Sequence, residues 1–311
     1  MARHRRRHKN HEESGSQGSS EEEKLKGRGR AGGAVSIVNA ISTGFGAALG
    51  INLQTEAELE TTDKPQIKLS INGEDADPSL AKAVIKVFSQ ALGVEVKGAE
   101  IRTYSNIPVA VGLKSSSSAA VAIANAFLDA LGKKMAADEL LRNVAEASIL
   151  SGTSITGALD DAAACMLGGI VATDNHGRKI LKHILVEEKL YAVIYVPPGK
   201  TYTASFRKEL LTPIRNIAAA AFTLTLEGKH WEAMTINGLA HSAALGLPIE
   251  PAMNALRAGA YAAGLSGTGP AVAAIVAEER VDEVADAFSA YEGEIVKASV
   301  NRGRMVDICP C

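Results

Sequence analysis

Pro108-Val-Ala-Val-Gly-Leu-Lys-Ser-Ser-Ser-Ser118 is the most informative stretch of the 311-residue chain. It follows Val94–Tyr104, which reads as a strand, and runs without a break into Ala119–Leu131, an alanine-rich stretch with helical spacing. A glycine and four consecutive serines therefore stand between a strand and a helix N-terminus. The first N–H groups of a helix have no partner within it and carry the positive end of the dipole, so such a place attracts anions. Gly112 lets backbone approach a phosphate closely, the serine hydroxyls add donors and can ligate Mg²⁺, and Lys114 supplies a mobile positive charge. Taken alone, the same residues also read as a serine-rich helix cap.

Three further segments lie downstream. A second helix, Ala136 to about Ser151, carries Glu146; on an alanine-rich helix this carboxylate either faces solvent or, if the helix packs beside the serine loop, completes a Mg²⁺ site with phosphate oxygens. Past the loop Gly152–Gly157, Asp160-Asp161 open a short helical piece, Asp160–Met166, before Gly168-Gly169. Two adjacent carboxylates at a helix start read as caps, or as a base or orienting group for a hydroxyl nucleophile. Gly264-Leu-Ser-Gly-Thr-Gly-Pro270 is a tight glycine turn feeding the strand Ala271–Val276, able to approach another backbone or a phosphate. Other nucleotide motifs fail on spacing: Gly199-Lys200-Thr201 has Ile194 where a Walker A loop needs glycine, and Gly44-x-Gly46 has Leu49 where the dinucleotide fingerprint needs its third glycine.

Farther out, strands read at Val35–Ile41, Leu49–Glu60 and Ile67–Ile71, with a helix at Ser79–Leu92. Ile180–Val186 and Leu190–Val196 begin a second set of elements, continued by helices at Pro213–Leu226, Trp231–Leu245, Pro251–Ala260 and about Val281–Tyr291, and a strand near Glu294–Val300. Mixed short strands and helices without regular βαβ alternation favour an α+β fold over a doubly wound sheet. The expected organisation is a charged tail over residues 1–27 and two domains, 28–178 and 179–311.

Composition narrows the class. With 46% hydrophobic and 22% charged residues the chain is globular, not wholly disordered, collagen-like or a coiled coil. Alanine occurs 52 times and aromatics make only 4%, so the core must be built from small and aliphatic side chains on closely packed helices. The net charge is −2; residues 1–27 hold seven Lys/Arg and five Glu with almost no apolar side chain, which leaves a body of −4 with no basic surface for nucleic acid. Ala31–Thr55 is uncharged but holds Ser36, Asn39, Asn52 and five glycines, too polar for a membrane span. Three cysteines, with Cys309-Pro-Cys311 lacking CxxC spacing, make neither a disulfide framework nor a zinc site, and the expected compartment is the cytoplasm.

In this order the three segments resemble the GHMP kinase superfamily: PxxxGLxSS(S/A) at Pro108–Ser117, a GxxDDA-like segment at Gly157–Ala162 and a GxSGxGP-like loop at Gly264–Pro270. Within it, the wording of Ile107–Ser117, Ser154–Ala162 and Val38–Ile51 is most similar to the archaeal-type shikimate kinases, over roughly Gly29 to Val300. The resemblance implies an N-terminal ribosomal-protein-S5-like domain with a left-handed βαβ unit, a ferredoxin-like C-terminal domain, and an active site between them. It also implies ATP and Mg²⁺ as cofactors and transfer of the ATP γ-phosphate to the 3-hydroxyl of shikimate, with no nucleic acid or membrane partner.

Carried over by position, Pro108, Val109, Ala110, Val111, Gly112, Leu113, Lys114, Ser115, Ser116, Ser117 and Ser118 wrap the ATP phosphates, and Ser116 and Glu146 hold Mg²⁺. Aligning on Asp-Asp-Ala makes Asp160 the catalytic aspartate, and aligning on Gly168-Gly169 makes it Asp161; Lys114 neutralises the transferring phosphoryl. Gly267 and Thr268 fall at the substrate, and Lys200, Arg207 and Arg215, after the strand ending at Val196, are candidates for its carboxylate. Two departures stand out: the Pro-x-Lys/Arg element usual in the first superfamily motif is absent from Ala31–Thr43, and Lys114 stands where relatives often have a small residue. The alternatives are a GHMP kinase for another hydroxylated metabolite such as homoserine, and a non-catalytic binding protein of the same fold.

Overall fold

The computed structural model of the chain describes residues 24–199 and 207–304. Its first half is a seven-stranded sheet in the order β4-β3-β5-β2-β6-β7, with β1 (Lys26–Val38) paired to β2 (Phe45–Thr62). The 18-residue β2 is the spine: its first part pairs antiparallel with β6 (Ile170–Asp174) and its last part with β5 (Gly98–Ser105), while β1 runs antiparallel along its other edge. β3 (Ile67–Ile71) lies parallel to β5, and the crossover between them passes through β4 (Glu74–Ala76) and α1 (Ser79–Leu92).

Helices α1, α2 (Ser115–Ala130), α3 (Ala137–Leu150) and α4 (Leu159–Leu167) cover one face of this sheet around a core of alanine, leucine and valine. α2 lies so close to β1 that a Cβ at Gly27 would come within 2.1 Å of the Ala126 carbonyl oxygen, and one at Gly29 within 2.1 Å of that of Ala122. The alanine and glycine excess thus lets a helix backbone rest almost directly on a strand. β1 presents the intervening Lys26, Arg28 and Arg30 to the open face, in register with Glu60, Glu58 and Glu56.

The second half is a four-stranded antiparallel sheet, β11-β8-β10-β9, built from β8 (Leu190–Val196), β9 (Ala262–Leu265), β10 (Val272–Ala277) and β11 (Glu294–Ser299). α5 (Arg215–Leu226), α6 (His230–Ala244) and α7 (Glu250–Arg257) connect β8 to β9, and α8 (Val281–Ser289) connects β10 to β11. That sequence and strand order are ferredoxin-like. A second core, including Val35, Ile37, Leu49 and Ile51 from the first sheet and Ile194, Ala273 and Ile275 from the second, joins the halves. No helix among the described residues is long and apolar enough to cross a membrane.

Two of the sequence boundaries move. β1 already begins at Lys26, inside the segment 1–27 read as tail, because its inward positions are glycines packed under α2 and its outward ones are charged. β7 (Lys179–Ile184) pairs with β6 in the first sheet instead of opening the second domain, so the two sheets divide between Ile184 and Leu190. Residues 1–23 of the expected tail, Lys200, Cys309 and Cys311 lie outside the described residues.

Candidate active site

The two halves meet where the serine loop touches the late glycine loop. Gly112, at φ 95°, has no room for a side chain: a Cβ there would lie 2.0 Å from the carbonyl oxygen of Ser266. The loops are sewn together by Ser266 Oγ donating to the Gly112 carbonyl (2.8 Å) and Ala271 N–H donating to that of Val111 (3.1 Å). Ser36 on β1 completes the seam, its N–H donating to Ser266 Oγ (3.1 Å) and its own Oγ accepting from Gly267 N–H (3.0 Å). Asn39 adds a fifth tie through its Nδ2, which donates to the Gly267 carbonyl at 2.8 Å.

Non-glycine residues in the left-handed region cluster here. Ala110 (φ 60°), Lys114 (φ 64°) and Ala158 (φ 48°) are three of five such residues among those described, and the last two stand at the N-cap positions of α2 and α4. Backbone held in this region costs about 1–3 kcal/mol per residue and persists where surrounding contacts over-determine it. Neither cap residue offers a side-chain hydrogen bond to its helix; the start of α2, with Ser115 to Ser117, opens on the cleft, while the first N–H of α4 is taken by Asn175 Oδ1.

Lys114, nearly buried, donates from Nζ to Ser36 Oγ (2.7 Å) and lies 3.0 Å from Asp161 Oδ1. That contact is an ion pair without hydrogen-bond alignment, which leaves the buried Asp161 Oδ1 with no hydrogen-bond partner. Asp160 is 3% exposed; its Oδ1 accepts from Asn175 Nδ2 at 3.0 Å, and its Oδ2 would lie 2.4 Å from a Cβ at Gly46. Burial and then the Asp161 charge push the Asp160 carboxyl up to about 7, with Lys114 and the Asn175 hydrogen bond pulling the other way. A carboxyl balanced near neutrality is what proton exchange with a hydroxyl at ordinary pH requires.

One cleft thus gathers Ala110, Gly112, Lys114, Ser115, Ser116, Ser117, Asp160, Asp161, Gly267 and Thr268 from the predicted set, whereas Pro108, Val109, Val111, Leu113 and Ser118 of the same loop lie outside its lining. Glu146 is not part of the lining; it is exposed, and its carboxylate is engaged by Arg178 Nη1 at 3.2 Å. Arg207 and Arg215 are exposed and also outside the lining. Sequence reasoning missed Ser36 and Asn39, which were legible only as polar interruptions of an uncharged stretch. It also missed Thr153 to Thr156 on the cleft wall and Asn175, which looked like a plain turn residue.

Comparison with known proteins agrees with this geometry. The profile of the GHMP kinases N terminal domain matches residues 79–169 and that of the GHMP kinases C terminal domain residues 232–293. A shikimate kinase of Methanothrix thermoacetophila is 39% identical over 89% of this chain and 94% of its own, and one of Thermococcus kodakarensis is 42% identical over 85% and 96%. Among solved structures, a homoserine kinase from Cytophaga hutchinsonii superposes with a TM-score of 0.69 at 21% identity, covering 92% of this chain and 97% of its own, a likeness of fold. The chain belongs to the GHMP kinase superfamily and, within it, to the family of the archaeal shikimate kinases.

Proposed function

We infer that the protein is a shikimate kinase, moving the γ-phosphoryl of ATP to the 3-hydroxyl of shikimate, a step toward chorismate and the aromatic amino acids. The observation that carries the chemistry is the buried Asp160 beside the Lys114–Asp161 pair, in the cleft that also holds the N-terminus of α2. The identity to named shikimate kinases across most of both chains supports the choice of acceptor. The polar lining suits a small polyhydroxylated molecule, since Asn39, Thr153, Ser154, Thr156 and Thr268 offer hydrogen-bonding groups to the same space.

The residues fit ATP and its metal. The uncapped start of α2, with the Ser115, Ser116 and Ser117 side chains at its mouth, matches a phosphate chain in charge and donor geometry. Ser116, exposed at the cleft, would be the protein ligand to Mg²⁺, with phosphate oxygens and water supplying the rest. When bound, the ion neutralises charge on the phosphates; Glu146, held by Arg178 away from the lining, has no part in the scheme.

In the transfer, a bond forms between the substrate oxygen and the γ-phosphorus as the bond from that phosphorus to the β–γ bridging oxygen breaks, and the hydroxyl proton passes to Asp160 Oδ2. Lys114 and the α2 N–H groups neutralise the equatorial oxygens, so positioning and charge supply most of the acceleration. Asp161 holds Lys114 in place. The substrate carboxylate calls for a cation, for which Lys200, Arg207 and Arg215 are the candidates; alanine at the responsible residue raises KM for shikimate and leaves KM for ATP nearly unchanged. An ATP-consuming biosynthetic step of this kind fits the cytoplasm. The product of ATP and shikimate should show a phosphomonoester whose phosphorus couples to the proton at carbon 3 in a ³¹P–¹H correlation spectrum; coupling to another ring proton, or no phosphomonoester, contradicts the reading.

A further inference from the structure

Asn175, just past the end of β6, is buried behind the cleft, and its N–H, Oδ1 and Nδ2 are all hydrogen-bonded there. Its N–H donates to the Gly44 carbonyl (2.9 Å), holding the turn that brings Ala40 and Ile41 to the lining. Its Oδ1 accepts from Leu159 N–H at 2.6 Å, and its Nδ2 donates to Asp160 Oδ1 at 3.0 Å. Ala158, the residue at the cap position of α4, has no side-chain oxygen and sits in the left-handed region, so the helix receives its cap from another element.

This arrangement fixes more than a position. The Leu159 N–H can only donate, so the amide must turn its oxygen to it and its NH₂ to the carboxylate. Asp160 Oδ1 therefore always meets a donor, and Oδ2, lying over Gly46 where no side chain intrudes, is the oxygen left to take a proton. The other titratable or charged groups acting on Asp160 are Asp161 on the same helix, Lys114 at the start of α2 and the buried Cys165 further along α4. None of them hydrogen-bonds a single carboxylate oxygen; besides Asp160's own backbone N–H, the Asn175 amide is the group that does, at Oδ1.

We propose that Asn175 is a positioning residue for phosphoryl transfer: its amide, oriented by the α4 N-terminus, locks the Asp160 carboxylate, favours its ionised form and designates Oδ2 as the proton acceptor. The proposal rests on Asp160 as the base. A hydrogen bond to the charged form lowers a carboxyl pKa, so its removal raises it.

The test uses the full chain with Asn175→Ala, which leaves room for a donating water, and Asn175→Leu, which fills that room. The Asp160 carboxyl is followed by ¹³C NMR, assigned by its absence from Asp160→Asn, beside the pH profile of kcat. The expected result is an upward shift of the Asp160 titration, by roughly one pH unit in the leucine variant and less in the alanine variant. The acid limb of kcat moves with it and the KM values stay nearly unchanged. A purely structural cap would lower Tm and leave the titration where it was; an unmoved titration in both variants, or in the alanine variant alone if the leucine variant does not fold, overturns the proposal. A titration that moves while Asp160→Asn retains turnover upholds the hold of Asn175 on Asp160 and overturns the assignment of Asp160 as base.

Discussion

Asp160 and Asp161 are neighbours in sequence with opposite surroundings. One is buried against Gly46 and an amide, the other is paired with Lys114. Because the fold raises Asp160 from 3.8 to about 7, folding takes up a proton between those values. The stability this group contributes is therefore present below pH 4 and lost as pH rises through about 7. Asp160→Asn should accordingly raise Tm most above pH 7 and hardly at all near pH 4, while lowering kcat by about 10²–10⁴ at every pH. Thermal melts across that range, beside steady-state rates, check both halves; a variant that melts lower than wild type at pH 8 contradicts the buried-charge reading. Lys114→Met leaves two carboxylates facing each other without their cation, and should cost about 3–5 kcal/mol of stability in denaturant titrations at pH 8. At this scale the sequence was informative where chemistry is local in the chain, as in the Asp-Asp pair and the serines. It was silent on Ser36 and Asn175, whose partners lie 78 and 15 residues away and are chosen by the packing of strands.

Among the elements, α1 agrees with its reading residue for residue at Ser79–Leu92, whereas α2 begins at Ser115, four residues ahead of the Ala119 read as its start, because the serines of the loop already form its first turn. α2 lies against β1 so closely that a Cβ at Gly29 would come 2.1 Å from the Ala122 carbonyl oxygen, and Gly29→Ala should displace the helix and with it Ser115 to Ser117. The expected loss is about 1–3 kcal/mol with a higher KM for ATP, measured by denaturation and kinetics on the same preparation. β1 and β7 were read less well for a common reason. Alternation of charged residues with glycine, or of lysines with half-buried isoleucines and an exposed leucine at a sheet edge, carries little apolar signal even though the backbone pairing is complete. Glu146 shows the complementary limit: helical spacing gives the face a residue occupies but not what that face meets, and here it meets Arg178.

For the molecule as a whole, the shared core between the sheets makes the cleft a property of both halves, closed by the contact of Gly112 with Ser266. Gly112→Ala should pry the two loops apart and lower kcat/KM for ATP and acceptor together, whereas a substitution confined to one ligand's contacts would lower only one. The architecture was largely legible from three ordered motifs; the seam that unites the domains was not, because its hydrogen bonds join residues as much as 231 positions apart. ADP release with shikimate, homoserine and mevalonate, each supplied alone with ATP and Mg²⁺, distinguishes the possible acceptors directly. Turnover with shikimate, and little or none with the other two, is the predicted result; faster turnover with homoserine or mevalonate, or no ADP release with any of the three, would contradict it.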